Sequence, residues 1–248
     1  MPVYRPEHIE YAIVSGRIHI ALENGQMLPA FWSHPNIGGL FPGIALMHDW
    51  WGITDTERHL ANMFAQAGFY VIVPDMYGGT IAKTPNEAMK LVEELGAKGF
   101  TFANTALHAL ETHHRCNRSV AAVGLGMGGT LAYQAAIDRE DLEGAIAYYG
   151  FPQRHFGHFK GIKTPILAIY GSKEPHIAPE VRERLRLELA ESSVEHEYVV
   201  IDGAGRDFLA PSAPPEAQQF GKEAWQRTLH FLDKHLDGPT RPQEKQVL

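Results

Sequence analysis

The sequence predicts an α/β fold in which a mostly parallel central sheet is flanked by helices on both faces and preceded by an N-terminal β-ribbon. Short apolar runs alternate with amphipathic segments along most of the 248 residues, which is the pattern of strands joined by crossover helices. The first forty residues instead hold two alternating runs around Asn24-Gly25, a dipeptide typical of hairpin turns. No internal repeat and no linker divides the chain. We therefore expect one domain over residues 1–236 and a polar tail over 237–248.

The elements that follow the hairpin are indicated by their local signals. Residues 43–47 form a short apolar run, as expected for a buried strand. Thr54 or Asp55 can cap the helix that comes next, and Gly68 can end it. A second apolar run over residues 70–75 predicts another buried strand.

The second half of the chain alternates helices and strands in the same way. We expect a helix over residues 86–99 that breaks at Gly99 and resumes over residues 100–114. Further strands are expected over residues 119–124, 144–150, 164–171 and 195–202. Further helices are expected over residues 127–138, 179–192 and 214–236.

Composition and charge argue against several kinds of partner. The formal net charge is -7 and no basic tract is present, so nucleic acid is not an expected partner. Residues 1–11 lack the apolar segment of a signal peptide, and no run reaches the ~18 apolar residues of a membrane helix. The single cysteine, Cys116, excludes an internal disulfide and favours a reducing, cytoplasmic location. His113 and His114 lack the spaced partners of a metal site, so we interpret them as solvated surface residues and expect no cofactor.

Ligands of open parallel sheets bind at the carboxyl ends of the strands. Four predicted strand ends are therefore the candidate site; they read HDWWG at 48–52, GLGMGG at 124–129, GSKEPH at 171–176 and GAGRDF at 203–208. Together and in this order, these motifs resemble the dienelactone hydrolase family of the α/β-hydrolase fold. The resemblance covers nearly the whole chain and implies a hydrolase of small, anionic esters or lactones. We expect the protein to be a monomer or a homodimer.

The resemblance also implies roles for particular positions. The family uses a Cys or Ser nucleophile in a G-x-C-x-G turn, an acid after a later strand, a His near the end and a carboxylate in the first loop. Position by position, the first-loop carboxylate matches Asp49 and the acid matches Glu174. The nucleophile position matches Gly126, and the histidine position matches Arg206. The chain therefore keeps both acids but carries neither the nucleophile nor the general base that the family mechanism needs.

Gly126 and Arg206 each allow two interpretations. Glycine adopts the strained backbone of this turn without penalty, and a bare apex would also open room for a ligand. Arg206 could form an internal salt bridge to Asp49 or Glu174, which we favour, or it could bind the carboxylate of a ligand. An engineered glycine at position 126 is a third explanation, and the independent change at position 206 argues against it.

Other residues are expected to complete a ligand pocket around this turn. The N–H group of Met127, with that of Trp50 or Trp51, can form an oxyanion hole. His48 could line the pocket or simply orient the first loop. The candidate ligand-binding residues are Trp50, Trp51, Met127, Tyr77, His48 and His176.

Two functional hypotheses follow from these residues. In the first, the chain is a degenerate, non-catalytic or weakly active homologue that binds a small carboxylate-type ligand. In the second, it is a cofactor-free hydrolase or isomerase that uses Asp49 as general base with a backbone oxyanion hole. We favour the first, because an acid beside Arg206 is a weak base at neutral pH. Cys116 precedes the strand expected over residues 119–124 and therefore lies at its amino end, far from the candidate site, so it is not the missing nucleophile.

Overall fold

The computed structural model describes residues 10–240 and shows a mixed α/β fold built on one eight-stranded sheet. The strands span Ile13–Ala21 (β1), Met27–Pro35 (β2), Phe41–Met47 (β3), Tyr70–Pro74 (β4), Cys116–Leu125 (β5), Gly144–Tyr148 (β6), Ile166–Gly171 (β7) and His196–Ile201 (β8). Their order across the sheet is β1-β2-β4-β3-β5-β6-β7-β8. The β1–β2 hairpin joins β4 in antiparallel pairing, and the other strands run parallel. The predicted β-ribbon and the mostly parallel sheet are both confirmed.

Helices cover both faces of this sheet. They span Asp55–Gln66 (α1), Pro85–Leu95 (α2), Lys98–Thr112 (α3), Met127–Asp138 (α4), Pro179–Ala190 (α5) and Pro215–His235 (α6), with short 3₁₀ turns at Gln153–His155 and Phe159–Gly161. Alternate residues of a strand point to opposite faces. Accordingly, Ile44 and Leu46 of β3 pack into one core with α1 and α6, whereas Ala45 and Met47 pack into the other with α3.

The helix predicted over residues 86–114 breaks at Gly96, and the break expected at Gly99 was wrong. Gly96 adopts a φ of 50°, the left-handed region that favours glycine, and this conformation ends α2. Gly99 lies inside α3. A Cβ atom at Gly99 would be 3.2 Å from Leu95 Cδ2, so its small size there serves helix packing.

Residues 1–9 and 241–248 lie outside the described part of the chain. The prediction that residues 1–11 are not a signal peptide falls almost entirely there, and so does most of the tail predicted over 237–248. The first tail residues reach the segment just before β3, since Thr240 pairs with Leu40 in an isolated bridge. The division into one domain and a tail stays a prediction. Among the helices within residues 10–240, none is long and apolar enough to cross a membrane.

Candidate functional site

Four loops at the carboxyl edge of the sheet bring the predicted site residues together. Asp49 follows β3, Gly126 follows β5, Glu174 follows β7 and Arg206 follows β8. Gly126 has φ 50° and ψ -107° and immediately precedes α4, so the sharp strand-to-helix turn is present. This turn packs tightly, because a Cβ atom at the neighbouring Gly128 would lie 2.2 Å from the carbonyl oxygen of β3 residue Met47.

Arg206 links both retained acids in one buried ion triad. Its Nη2 atom lies 3.2 Å from Asp49 Oδ2, and its Nη1 atom lies 3.0 Å from Glu174 Oε1. The side chains of Arg206 and Asp49 are each only 9% exposed, and that of Glu174 is fully buried. The guanidinium also lies 4.5 Å from the centre of the Tyr149 ring, which adds a cation–π contact. Each terminal nitrogen of the Arg206 guanidinium is thus paired with a carboxylate of the chain itself.

The electrostatics of this triad keep Arg206 charged. Burial alone lowers the pKa of its guanidinium, but the negative charges of Asp49 and Glu174 outweigh that effect, and the net shift is upward. Arg206 therefore cannot replace a histidine as a proton acceptor. Two acids and one arginine leave the triad with one formal negative charge in excess.

The Asp49 carboxylate also occupies the backbone N–H groups that the sequence analysis assigned to an oxyanion hole. Its Oδ1 atom accepts the N–H of Met127 at 2.9 Å and that of Trp50 at 2.8 Å. Of the two tryptophans that were considered, Trp50 thus supplies the amide. Trp51 instead packs its ring edge-to-face on Trp50, with the ring centres 5.1 Å apart.

Of the two interpretations of Gly126, free space for a ligand is not what this structure shows. A Cβ atom at Gly126 would lie 2.1 Å from Asp49 Oδ1 and 2.3 Å from Arg206 Nη2, so these side chains fill the space. An arginine at position 206 is long enough to cross the site and pair with Asp49, and their contact closes the apex of the turn.

The sequence analysis missed Glu57, whose carboxylate accepts hydrogen bonds from the first loop. Glu57 is 2% exposed, and its Oε2 atom accepts the N–H of Thr54 at 2.7 Å and the Thr54 hydroxyl at 2.6 Å. Its Oε1 atom accepts the N–H of Asp49 in a long hydrogen bond of 3.5 Å. The signal was present, because Thr54 and Glu57 have the spacing of a capping box.

Three further candidates occupy different surroundings. His48 is fully buried and donates from Nδ1 to Asp49 O at 2.6 Å, while its Nε2 accepts the N–H of Met76 at 3.2 Å. These contacts favour its alternative role, the orientation of the first loop. Tyr77 donates its hydroxyl to Met127 Sδ at 3.4 Å, and burial together with the nearby Asp49 raises its pKa.

His176 lies at the exposed rim of the site. Its backbone N–H donates to Glu174 Oε1 at 2.9 Å, and its ring centre is 6.5 Å from that of Trp50. The second Glu174 oxygen, Oε2, is buried without a hydrogen-bond partner within the part of the chain that is described.

The residues at the amino edge of the sheet lie away from this site. Cys116 is the first residue of β5 and is 5% exposed, and burial raises the pKa of its thiol. His114 is exposed as predicted, but His113 is partly buried against the ring of Tyr70, at 4.6 Å, so its assignment to the solvated surface was wrong. Across residues 10–240, no cluster of three His, Cys, Asp or Glu side chains is arranged to hold a metal.

Comparison with known proteins gives a consistent set of relatives. The family model of the dienelactone hydrolase family matches residues 29–236. "Protein usf" of Aquifex pyrophilus is 26% identical over 228 residues, which cover 86% of this chain and 96% of that protein. A protein of Aquifex aeolicus named "Putative carboxymethylenebutenolidase" is 25% identical over 224 residues, again covering 86% and 96%. The crystal structure of a dienelactone hydrolase from Anabaena variabilis aligns with a TM-score of 0.68 at 17% identity, covering 91% of this chain and 99% of that one.

Proposed function

Because the chain belongs to the dienelactone hydrolase family, we propose that it is a member that does not hydrolyse esters by the family mechanism and instead binds a small carboxylate at the place now held by Asp49. One observation carries this proposal. The Asp49 carboxylate is held by two backbone N–H groups and one arginine, which is the donor set that a carboxylate ligand requires.

The loss of hydrolysis follows from the chemistry of two positions. Gly126 has no side chain to attack a carbonyl carbon, and Arg206 has no lone pair to accept a proton. An enzyme without its nucleophile and base retains only binding and oxyanion effects, on the order of 10³–10⁴ over water in a triad-free protease. Here the amides that would provide such effects already bind Asp49.

A ligand carboxylate would have to exchange with Asp49. The tethered side chain competes at a high effective concentration, so simple acids should bind the natural protein weakly. A ligand that also contacts the aromatic rim formed by Trp50, Tyr77 and His176 would gain the additional binding energy needed to displace Asp49. The ligand class is therefore a small carboxylate with an apolar or aromatic body.

The alternative, Asp49 as the general base of a hydrolase or isomerase, has less support. Oδ1 of Asp49 already accepts two N–H groups, and Oδ2 accepts from Arg206. Asp49 would have to leave these donors before it could take a proton from a substrate. A turnover rate that disappears in Asp49→Ala would favour this alternative. A location in the cytoplasm and a monomeric or homodimeric state also remain part of the proposal.

The proposal is tested by removing the internal carboxylate. In Asp49→Gly the two amides lose their acceptor and Arg206 keeps only Glu174 as a partner, so we expect acetate to raise the melting temperature of this variant saturably. The natural protein should show little response, since its site is filled. In Asp49→Gly/Arg206→Met the effect of acetate should be lost, whereas sodium chloride at the same ionic strength controls for screening.

Two outcomes would contradict the proposal. One is an Asp49→Gly variant that remains folded, by circular dichroism, yet shows no saturable response to acetate. The other is hydrolysis of p-nitrophenyl acetate or of a dienelactone by the natural protein at a rate well above buffer, which would restore the enzyme hypothesis.

A further inference from the structure

A separate, partly open cavity is lined by the residues on either side of Arg206, by the rest of the segment that connects β8 to α6 and by the start of α6. Its volume is about 320 Å³, at the lower end of the range of ~300–1,000 Å³ typical of small-molecule sites. We call it the β8–α6 cavity. Its lining is mainly apolar and consists of Gly205, Asp207, Phe208, Ala210, Ser212, Ala213, Pro214, Ala217 and Phe220.

Asp207 is the only titratable side chain in this lining. The adjacent Arg206 is committed to Asp49 and Glu174. Among the described residues, no Lys or Arg forms an ion pair with the Asp207 carboxylate. Partial burial raises the pKa of Asp207, and the negative charges of Asp49 and Glu174 raise it further. The nearby Arg206 and His176 lower this pKa, but the net shift is upward. The cavity wall thus carries an acid whose surroundings favour an added positive charge.

The start of α6 borders the same cavity but offers little to an anion. Pro215, its first residue, has no N–H group. The N–H groups of Ala217 and Gln218 both donate to the carbonyl of Pro214, at 2.8 and 3.2 Å. Most of the free donors that make a helix N-terminus an anion site are therefore absent in this turn.

We propose that the β8–α6 cavity binds a small organic cation, with an apolar body packed against Phe208 and Phe220 and a protonated amine paired with Asp207. A charge-assisted hydrogen bond from the ammonium to the carboxylate fixes the orientation of the ligand, and the apolar wall selects against hydrated inorganic cations. The cavity does not include Asp49 or Gly126, so this proposal stands independently of the carboxylate site.

The test is a ¹H–¹⁵N NMR titration of the full chain with three probes of one shape: benzylamine, benzyl alcohol and benzoate. We expect benzylamine to produce saturating shifts confined to residues 205–220, with an affinity about tenfold higher than that of benzyl alcohol. Asp207→Asn should reduce benzylamine binding to the level of benzyl alcohol. Glu216→Gln, which removes an exposed acid next to the cavity but outside its lining, should leave binding unchanged.

A second variant tests the location. Ala217→Leu fills the cavity and should abolish the shifts while the melting temperature shows that the protein is folded. The proposal is overturned if benzyl alcohol or benzoate binds as tightly as benzylamine, if Asp207→Asn binds benzylamine normally, or if Ala217→Leu has no effect. Acetate binding by Asp49→Gly is expected whichever result is obtained, so failure of one proposal is distinguishable from failure of the other.

Discussion

The carboxylate of Asp49 lies where a side chain on Gly126 would begin, since a Cβ atom there would be 2.1 Å from Asp49 Oδ1. The carboxylate cannot move aside freely, because the N–H groups of Trp50 and Met127 and the guanidinium of Arg206 hold it. The glycine at the turn and the arginine at position 206 are therefore linked, because the Arg206–Asp49 ion pair fills the space that a side chain at position 126 would need. The arginine thus requires the glycine sterically.

Gly126→Ala should be strongly destabilising for this reason. The backbone conformation, with φ 50°, costs an L-residue about 1–3 kcal/mol. The added methyl group must also displace Asp49 or Arg206, so we expect the loss in free energy of unfolding, measured in urea, to exceed that range. Gly78→Ala is the matched control, because Gly78 has φ 61° and nothing within 4 Å of its Cβ position. If both variants lose the same free energy of unfolding, Asp49 and Arg206 move aside at little cost and the steric argument is wrong.

Arg206→Met should leave two buried carboxylates without a counter-charge. We expect a loss of about 3–5 kcal/mol in the free energy of unfolding, which is the usual cost of breaking a buried pair from one side. Lys163→Met, which removes an exposed partner of Glu140, should have no measurable effect.

The neutral triple variant separates lost charge pairing from lost packing. In Arg206→Met/Asp49→Asn/Glu174→Gln no charge of the triad remains, and most of the stability should return. If the triple variant is as unstable as Arg206→Met alone, packing around the guanidinium and its cation–π contact, and not charge, determine the cost.

The sequence predicted the positions of the site residues but not the contacts between their atoms. Apolar runs and glycine turns place Asp49, Gly126, Glu174 and Arg206 at the same edge of the sheet, because parallel strands end together. Whether an arginine reaches one acid or both depends on side-chain length and on the spacing of the loops. No sequence pattern indicates that the Asp49 carboxylate accepts a hydrogen bond from the N–H group of Met127.

Elsewhere the same limit applies to helix ends. Gly96 and Gly99 are equivalent as local signals, but Gly96 takes the positive φ that ends α2, whereas Gly99 packs against Leu95 inside α3. Thr54, in contrast, was found as a candidate cap, because a capping box depends only on residues close in the chain.

A histidine pair at the amino edge should make the protein less stable in acid. His34 and His113 pack on the ring of Tyr70, at 4.8 and 4.6 Å. Burial lowers the pKa of both imidazoles below the ordinary value of 6.5, and the charge of Arg115 lowers it further. The unfolded chain therefore takes up protons first as the pH falls. Their contribution to stability is complete above pH 6.5 and is lost as the pH falls through the lowered values.

The free energy of unfolding, measured from neutral pH down to about pH 5, tests this expectation. His34→Phe retains the stacked ring and removes one titrating group, so the loss of stability below pH 6.5 should become shallower. His19→Phe changes an exposed histidine on β1 and should leave the slope unchanged. An unchanged slope in His34→Phe would show that other groups dominate the acid response.

Hydrolysis should be recoverable only when three positions change together. Gly126→Cys/Arg206→His restores a nucleophile and a base, and the new histidine can pair with Glu174, which already contacts position 206. In this double variant the cysteine Cβ still collides with the Asp49 carboxylate, so we expect poor folding and little activity. Adding Asp49→Ala removes the collision and frees the Met127 and Trp50 amides for an oxyanion.

We expect this triple variant to hydrolyse p-nitrophenyl acetate at least about 10²-fold faster than the natural protein. The control replaces cysteine by alanine at position 126 in the same background and should be inactive, because it keeps the open site but lacks the nucleophile. If the control and the triple variant are equally active, the rate comes from the emptied oxyanion site and not from a restored triad. If the natural protein already matches the triple variant, Asp49 is the residue that must be tested as its catalytic base.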